Sequence, residues 1–176
     1  SMTADEDSRN VTDEFKGQPH DYILEKLDKR GVGLEIAVEN LERDFNMGTI
    51  IRNANAFGVR VVHVIGRRQW NKRGAMMTDK YLQVRYHPDV ASFMANQEGK
   101  VVVAVDITTQ AKPLNEVALA RNAVMVFGAE GPGLSQELLE AAQQVVCIEQ
   151  RGSTRSINVG VAAGIAIYEW TRRYHL

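Results

Sequence analysis

Ala123-Val124-Met125-Val126-Phe127-Gly128-Ala129-Glu130-Gly131-Pro132-Gly133-Leu134 is an apolar run that passes directly into a glycine-bearing polar loop. The run Ala123–Phe127 has no alternation, which suits a strand buried on both faces of a parallel sheet. Behind the loop, Ser135–Ala142 reads as a helix with Ser135 as its N-cap. A strand, a ligand-sized loop and a helix in that order form the repeating unit of an α/β domain, in which ligands bind at the carboxyl ends of the strands. The loop lacks the G-x-G-x-x-G spacing of a dinucleotide site and has no P-loop lysine, and by itself it is equally compatible with a plain tight turn.

Outward from this unit the same alternation recurs. Leu34–Val38, Val59–Ile65, Val101–Val105 and Val145–Ile148 read as further strands, while Gly48–Phe57, Val90–Ala95 and Ser156–Arg173 read as helices. The expected architecture is α/β, with a mostly parallel sheet and helices on both faces. Residues 1–33 read as a polar N-terminal extension with a short helix, His20–Arg30, ended by Gly31; residues 3–19 are acid-rich and expected to be mobile. Residues 34–176 read as the folded domain.

Composition narrows the class. The chain has 176 residues, 44% hydrophobic and 24% charged, which suits one soluble domain with a sizeable core. Its single cysteine, Cys147, excludes an internal disulfide and fits a reducing cytoplasm. The longest apolar candidate, Ile157 to Ala166, is well short of the roughly 20 residues that a membrane helix needs. No secretory leader is apparent at the start, so a cytoplasmic location is expected. His20, His63, His87 and His175 have no ligand spacing, and no metal is expected. Net charge is −1, but residues 1–45 hold twelve acids against six bases, and residues 60–85 hold seven bases against one acid. Such a basic segment can grip phosphates, although charge runs are usually solvated surface. Arg67, Arg68, Lys72 and Arg73 are its candidate RNA contacts, with Trp70 among them as a stacking or packing residue.

Two other stretches combine glycines and polar residues beside apolar runs. In Asn46 through Gly58, Asn46 and Arg52 stand out among small and apolar neighbours. In Ile148 through Ala163, a polar loop runs into a long helix, with Ser156 placed as cap and Asn158 in the first turn. An arginine on a helix is ordinarily a solvated charge, and a serine before a helix is ordinarily a cap.

Taken together and in order, the three stretches resemble the signature of the SpoU/TrmH branch of the SPOUT RNA methyltransferases, over about Leu34 to Tyr174. The resemblance implies a C-terminal trefoil knot that holds S-adenosylmethionine, and transfer of its methyl group to a ribose 2′-hydroxyl. It implies Arg52 as the catalytic arginine, Asn46 as an organiser of the site, and Glu130, Ser156 and Asn158 as further residues of the catalytic site. Gly128, Ile148 and Ile157 would meet the cofactor largely through main-chain groups, with Gly133 and Gly152 in the same loops and Arg155 beside the RNA. It also implies a homodimer, because family sites combine cofactor in one subunit with the arginine of the other. The chain departs from the family where Glu149 replaces a usual proline, Ile157 a leucine and Gly160 a serine. A structured RNA is the expected substrate, transfer RNA ahead of ribosomal RNA. The alternatives are a nonenzymatic RNA-binding module, which need not keep all these polar residues, and a nucleotide-dependent α/β enzyme, whose phosphate signatures are missing.

Overall fold

The strand Ala123–Phe127 (β6) is buried at every position because a parallel strand covers each of its edges and a helical layer covers each of its faces. The computed structural model describes residues 11–66 and 80–176. Within them the chain runs α1 (His20–Arg30), β1 (Glu35–Glu39), α2 (Asp44–Ala56), β2 (Val61–Ile65), β3 (Gln83–His87), α3 (Val90–Ala95), β4 (Val101–Val105), β5 (Lys112–Pro113), β6, α4 (Gln136–Ala141), β7 (Gln144–Cys147) and α5 (Val159–His175). The strands form one sheet in the order β3-β2-β1-β6-β4-β7-β5, and every neighbouring pair is parallel.

Side chains alternate across the sheet, so each strand feeds two cores. Met125 and Phe127 join Ile36, Val38 and Val103 beneath α2 and α5, where Ile50, Ala54, Ala163, Ile167 and Trp170 close the layer. Val124 and Val126 join Ala37, Val102 and Ala104 beneath α3 and α4, where Phe93 and Leu138 close the other. Helices on both faces are thus as the sequence predicts. Tyr168 of α5 stays half-exposed and meets Phe57 edge-on, while Trp170 is buried and donates from Nε1 to the Ala120 carbonyl.

Several expectations need correction. The strands β3 and β5 are not foreseen: β3 is an edge strand with mostly exposed side chains, and β5 is two residues long at the other edge, where a proline without an N–H is tolerated. Helix α2 starts at Asp44, one turn before Gly48, and continues across that glycine. Helix α5 starts at Val159, not Ser156. The described part of the N-terminal extension, from residue 11, is packed and not loose. Phe15 and Ile23 are buried, Glu14 pairs with Arg30, and Asp28 accepts from Arg60 Nε and Nη2 at 3.0 and 2.8 Å. That last pair also takes Arg60 out of the basic segment's free charge. Arg67, Arg68, Trp70, Lys72 and Arg73 lie outside the described residues.

Candidate active site

The carboxyl ends of β4, β6 and β7 open onto a cleft of about 570 Å³, a size suited to a nucleoside-scale ligand. Its walls are the β4 end with Asp106, the loop 128–134 and the segment leading into α5. Apolar surface comes from Val105, Leu134, Ile148, Ile157 and Val159, and charge from Asp106, Glu130 and Arg155.

The loop 128–134 is folded tightly on itself and pinned at its far end. A Cβ on residue 128 would lie 2.3 Å from the Gly133 carbonyl carbon, so only glycine allows the fold-back that bonds Gly133 N to Ala129 O at 2.9 Å. Gly133 itself is left-handed, at φ 71°, with the Asp106 carboxylate packed where its Cβ would stand. Asp106 Oδ2 accepts from Leu134 N at 3.0 Å. One residue on, Glu39 at the end of β1 accepts from Ser135 N and Oγ at 2.7 and 2.6 Å, although Glu39 is only 3% exposed. Ser135 caps α4 as foreseen, accepting from Leu138 N. Sequence reasoning missed both Glu39 and Asp106. Their signal is faint but present: each is an acid that ends an apolar strand run.

One hydrogen-bonded chain joins the three motif stretches. Asn46, 2% exposed on α2, donates through Nδ2 to Glu130 Oε1 of the β6 loop. Its Oδ1 accepts from Asn158 Nδ2 at 2.9 Å, and Asn158 Oδ1 in turn accepts from Val161 N at 3.1 Å. Asn158 is therefore the N-cap of α5, the role the sequence suggested for Ser156. Its short amide side chain reaches the free N–H of the first turn and keeps its NH2 for Asn46. Ser156 instead lies exposed along the cleft wall.

Of the other expected residues, Gly128, Gly133, Ile148, Ile157 and Arg155 line the cleft. Gly152 does not; it sits on the exposed turn that Gln150 closes by donating to Thr154 O at 2.8 Å. Glu149 is exposed in the same loop. Arg52 is exposed on α2 and outside the cleft wall. Six helical residues after Asn46, its backbone is rotated about the helix axis by about 120° and displaced by about 9 Å from that of Asn46. The Cys147 thiol is pushed up in pKa by burial and by the Glu149 charge, which disfavours the thiolate a nucleophile needs. The cleft thus offers apolar walls, fixed backbone groups and carboxylates that can hold and orient a ligand.

The description "SpoU rRNA Methylase family" fits residues 33–168 of this chain. The tRNA (guanosine(18)-2'-O)-methyltransferase of Thermus thermophilus is 30% identical over 161 residues, spanning 86% of this chain and 80% of that protein. The enzyme of the same name from Escherichia coli (strain K12) is 29% identical over 156 residues, spanning 86% and 68%. The crystal structure of the A. aeolicus TrmH/SpoU tRNA modifying enzyme superposes with a TM-score of 0.78 at 26% identity, covering 88% of this chain and 81% of that one.

Proposed function

The chain belongs to the SpoU methylase family, and from that premise we propose that it is an S-adenosylmethionine-dependent methyltransferase for ribose 2′-hydroxyls of structured RNA, with transfer RNA as its substrate. The observation that carries this reading is the Glu130–Asn46–Asn158 chain at the cleft. It brings three motif residues, distant in sequence, to one point beside a nucleoside-sized space.

The residues present suit the cofactor. The cleft volume accommodates a nucleoside with an amino-acid tail, its walls mix apolar and polar surface, and its carboxylates would suit a cationic ligand. Main-chain groups at Gly128, Ile148 and Ile157 would hold it, with Gly133 and Gly152 shaping the loops. S-adenosylmethionine supplies an electrophilic methyl group on a sulfonium. Asn46 is locked at both ends of its amide and fixes Glu130 and Asn158 in place, so the pocket is ordered before any ligand arrives. A guanidinium keeps its proton in proteins, so Arg52 serves as an electrostatic stabiliser of the oxygen and as a clamp on the neighbouring phosphate, while the hydroxyl proton leaves to solvent as the O–CH3 bond forms and the S–CH3 bond breaks. Orientation of the hydroxyl toward the methyl supplies much of the remaining acceleration.

The position of Arg52, outside the cleft of its own chain, supports a site completed by a second copy. Val161, Ile165 and Tyr168 form an exposed apolar stripe on α5, at 52%, 41% and 50% exposure, and fit the contact of such a homodimer. In this reading the dimer acts in the cytoplasm, the trefoil knot encloses the cofactor loops, and RNA lies against Arg155 and the segment holding Arg67, Arg68, Lys72 and Arg73.

Incubation with labelled S-adenosylmethionine and transfer RNA transcripts, followed by mapping of ribose methylation, tests the proposal. One 2′-O-methyl group per transcript is expected, with guanosine 18 the first position to examine in view of the relatives' names. Methylation confined to ribosomal RNA fragments would overturn the substrate. Cofactor binding without transfer to either RNA would point to the nonenzymatic module.

A further inference from the structure

The geometry points to Asp106 as a specificity residue that sets the preference of the cleft for the methyl donor over the demethylated product. This rests on the cofactor proposed above. Asp106 directly follows β4, is half-buried and lines the cleft. Its Oδ1 accepts from Ile107 N at 2.8 Å and its Oδ2 from Leu134 N at 3.0 Å. Each carboxylate oxygen has two lone pairs, so each keeps one acceptor position after these backbone bonds. Among the described residues no cation pairs with Asp106, and none pairs with Glu130, whose bond goes to the neutral Asn46 amide.

The charged groups that the chain itself places on the cleft wall are Asp106, Glu130 and the exposed Arg155, one negative charge in excess before Arg52 of a second copy, at the reacting end in the reading above, is counted. S-adenosylmethionine carries a sulfonium, an ammonium and a carboxylate, one positive charge in all. S-adenosylhomocysteine has lost the sulfonium and is neutral overall. Two backbone amides hold the carboxylate in place, so it attracts the donor's additional positive charge, and that share of the attraction is lost with the sulfonium in the product. Methyl transfer thereby weakens the cleft's hold on the spent cofactor.

Calorimetry on the full chain tests this with three ligands: S-adenosylmethionine, S-adenosylhomocysteine, and sinefungin, which carries a cationic amine in place of the methylsulfonium. Asp106→Asn should weaken both cationic ligands by ~3- to 10-fold, the scale of one charge pair at a partly solvated site, and leave the neutral product nearly unaffected. In the wild-type chain the ratio of donor to product affinity should fall as salt is raised. Equal loss of all three ligands by the folded variant, or a wild-type ratio indifferent to salt, overturns the assignment. If the variant fails to fold, the wild-type salt series decides alone. Failure of the wild-type chain to bind either adenosyl ligand would overturn the cofactor reading itself.

Discussion

Asn46 engages a partner at each end of its amide, Glu130 and Asn158, while almost fully buried. Asn46→Ala strands both, so a loss of about 1–3 kcal/mol in unfolding free energy is expected, together with a slower methyl transfer. Denaturant unfolding and single-turnover assays measure the two effects. Arg52 contrasts with it, since the residue is exposed. Arg52→Ala should reduce methyl transfer by about 10²–10³-fold, the usual cost of removing one transition-state stabiliser, with cofactor affinity within a few-fold of wild type. A near-normal single-turnover rate would remove Arg52 from the mechanism. The same comparison separates a residue that organises the site from one that acts on the reacting atoms.

Helices α2 and α5 pack closely because glycines on α5 face polar side chains of α2. A Cβ at position 160 would stand 2.8 Å from Thr49 Cγ2 and 3.1 Å from Asn158 Oδ1, and one at position 164 would stand 3.1 Å from Asn53 Nδ2. A serine at position 160 would therefore crowd Thr49 and the Asn158 amide oxygen. Gly160→Ser should cost about 1–3 kcal/mol by overpacking. Thr49→Ala in the same chain should recover most of it, a coupling that a double-mutant cycle of unfolding midpoints detects. Additive effects would mean that the two helices adjust independently. Because Asn158 caps α5 and also holds Asn46, forcing the helices apart should slow methyl transfer as well.

At the scale of the whole molecule, β1, β2, β3 and the turn before β4 share a polar chain remote from the cleft. Lys100 Nζ donates to Glu35 Oε2 at 2.6 Å, Glu35 Oε1 lies 2.7 Å from His63 Nε2, and His63 Nδ1 lies 2.9 Å from His87 Nε2. Burial, with the neighbouring His63 and Arg85, lowers the His87 pKa. Burial alone would raise the Glu35 pKa, but the bonds from His63 and Lys100 hold it below the usual carboxylate value. The neutral histidine and the ionised carboxylate are thus the folded forms. The His87 contribution to stability is full above the ordinary histidine pKa of about 6.5 and is lost as pH falls below it. The Glu35 contribution is present above the ordinary carboxylate range and is lost as pH falls through the folded value. Thermal midpoints should therefore drop between about pH 7 and 5, and His87→Gln should flatten that part of the curve. Assembly is a second property at this scale. Ile165→Glu places a charge in the α5 stripe and should shift sedimentation toward the monomer, abolishing methyl transfer while preserving cofactor binding. A fully active monomer would refute the shared site.

Apolar runs with no alternation made the central strands readable, since a strand covered on both faces must be apolar throughout; β4 and β6 have the bounds the sequence predicts. The three motif stretches were readable for a related reason, because glycines beside polar residues mark places where backbone approaches a ligand. Edge strand β3 was not readable, since exposed side chains impose no pattern, and β5 is too short to have one. Nor does sequence order say which polar groups meet. That Asn158 and not Ser156 caps α5, and that Asn46 spans 84 and 112 residues to Glu130 and Asn158, follow from how α2 lies on α5. Glu39 and Asp106 look like ordinary acids at strand ends until the fold brings the loop after β6 across them. Local composition determines which segments become strands and helices, because burial acts on each residue where it stands. Hydrogen-bond partners are decided only in the tertiary structure, because a polar group's partner depends on which distant segment the packing delivers within about 3 Å of it.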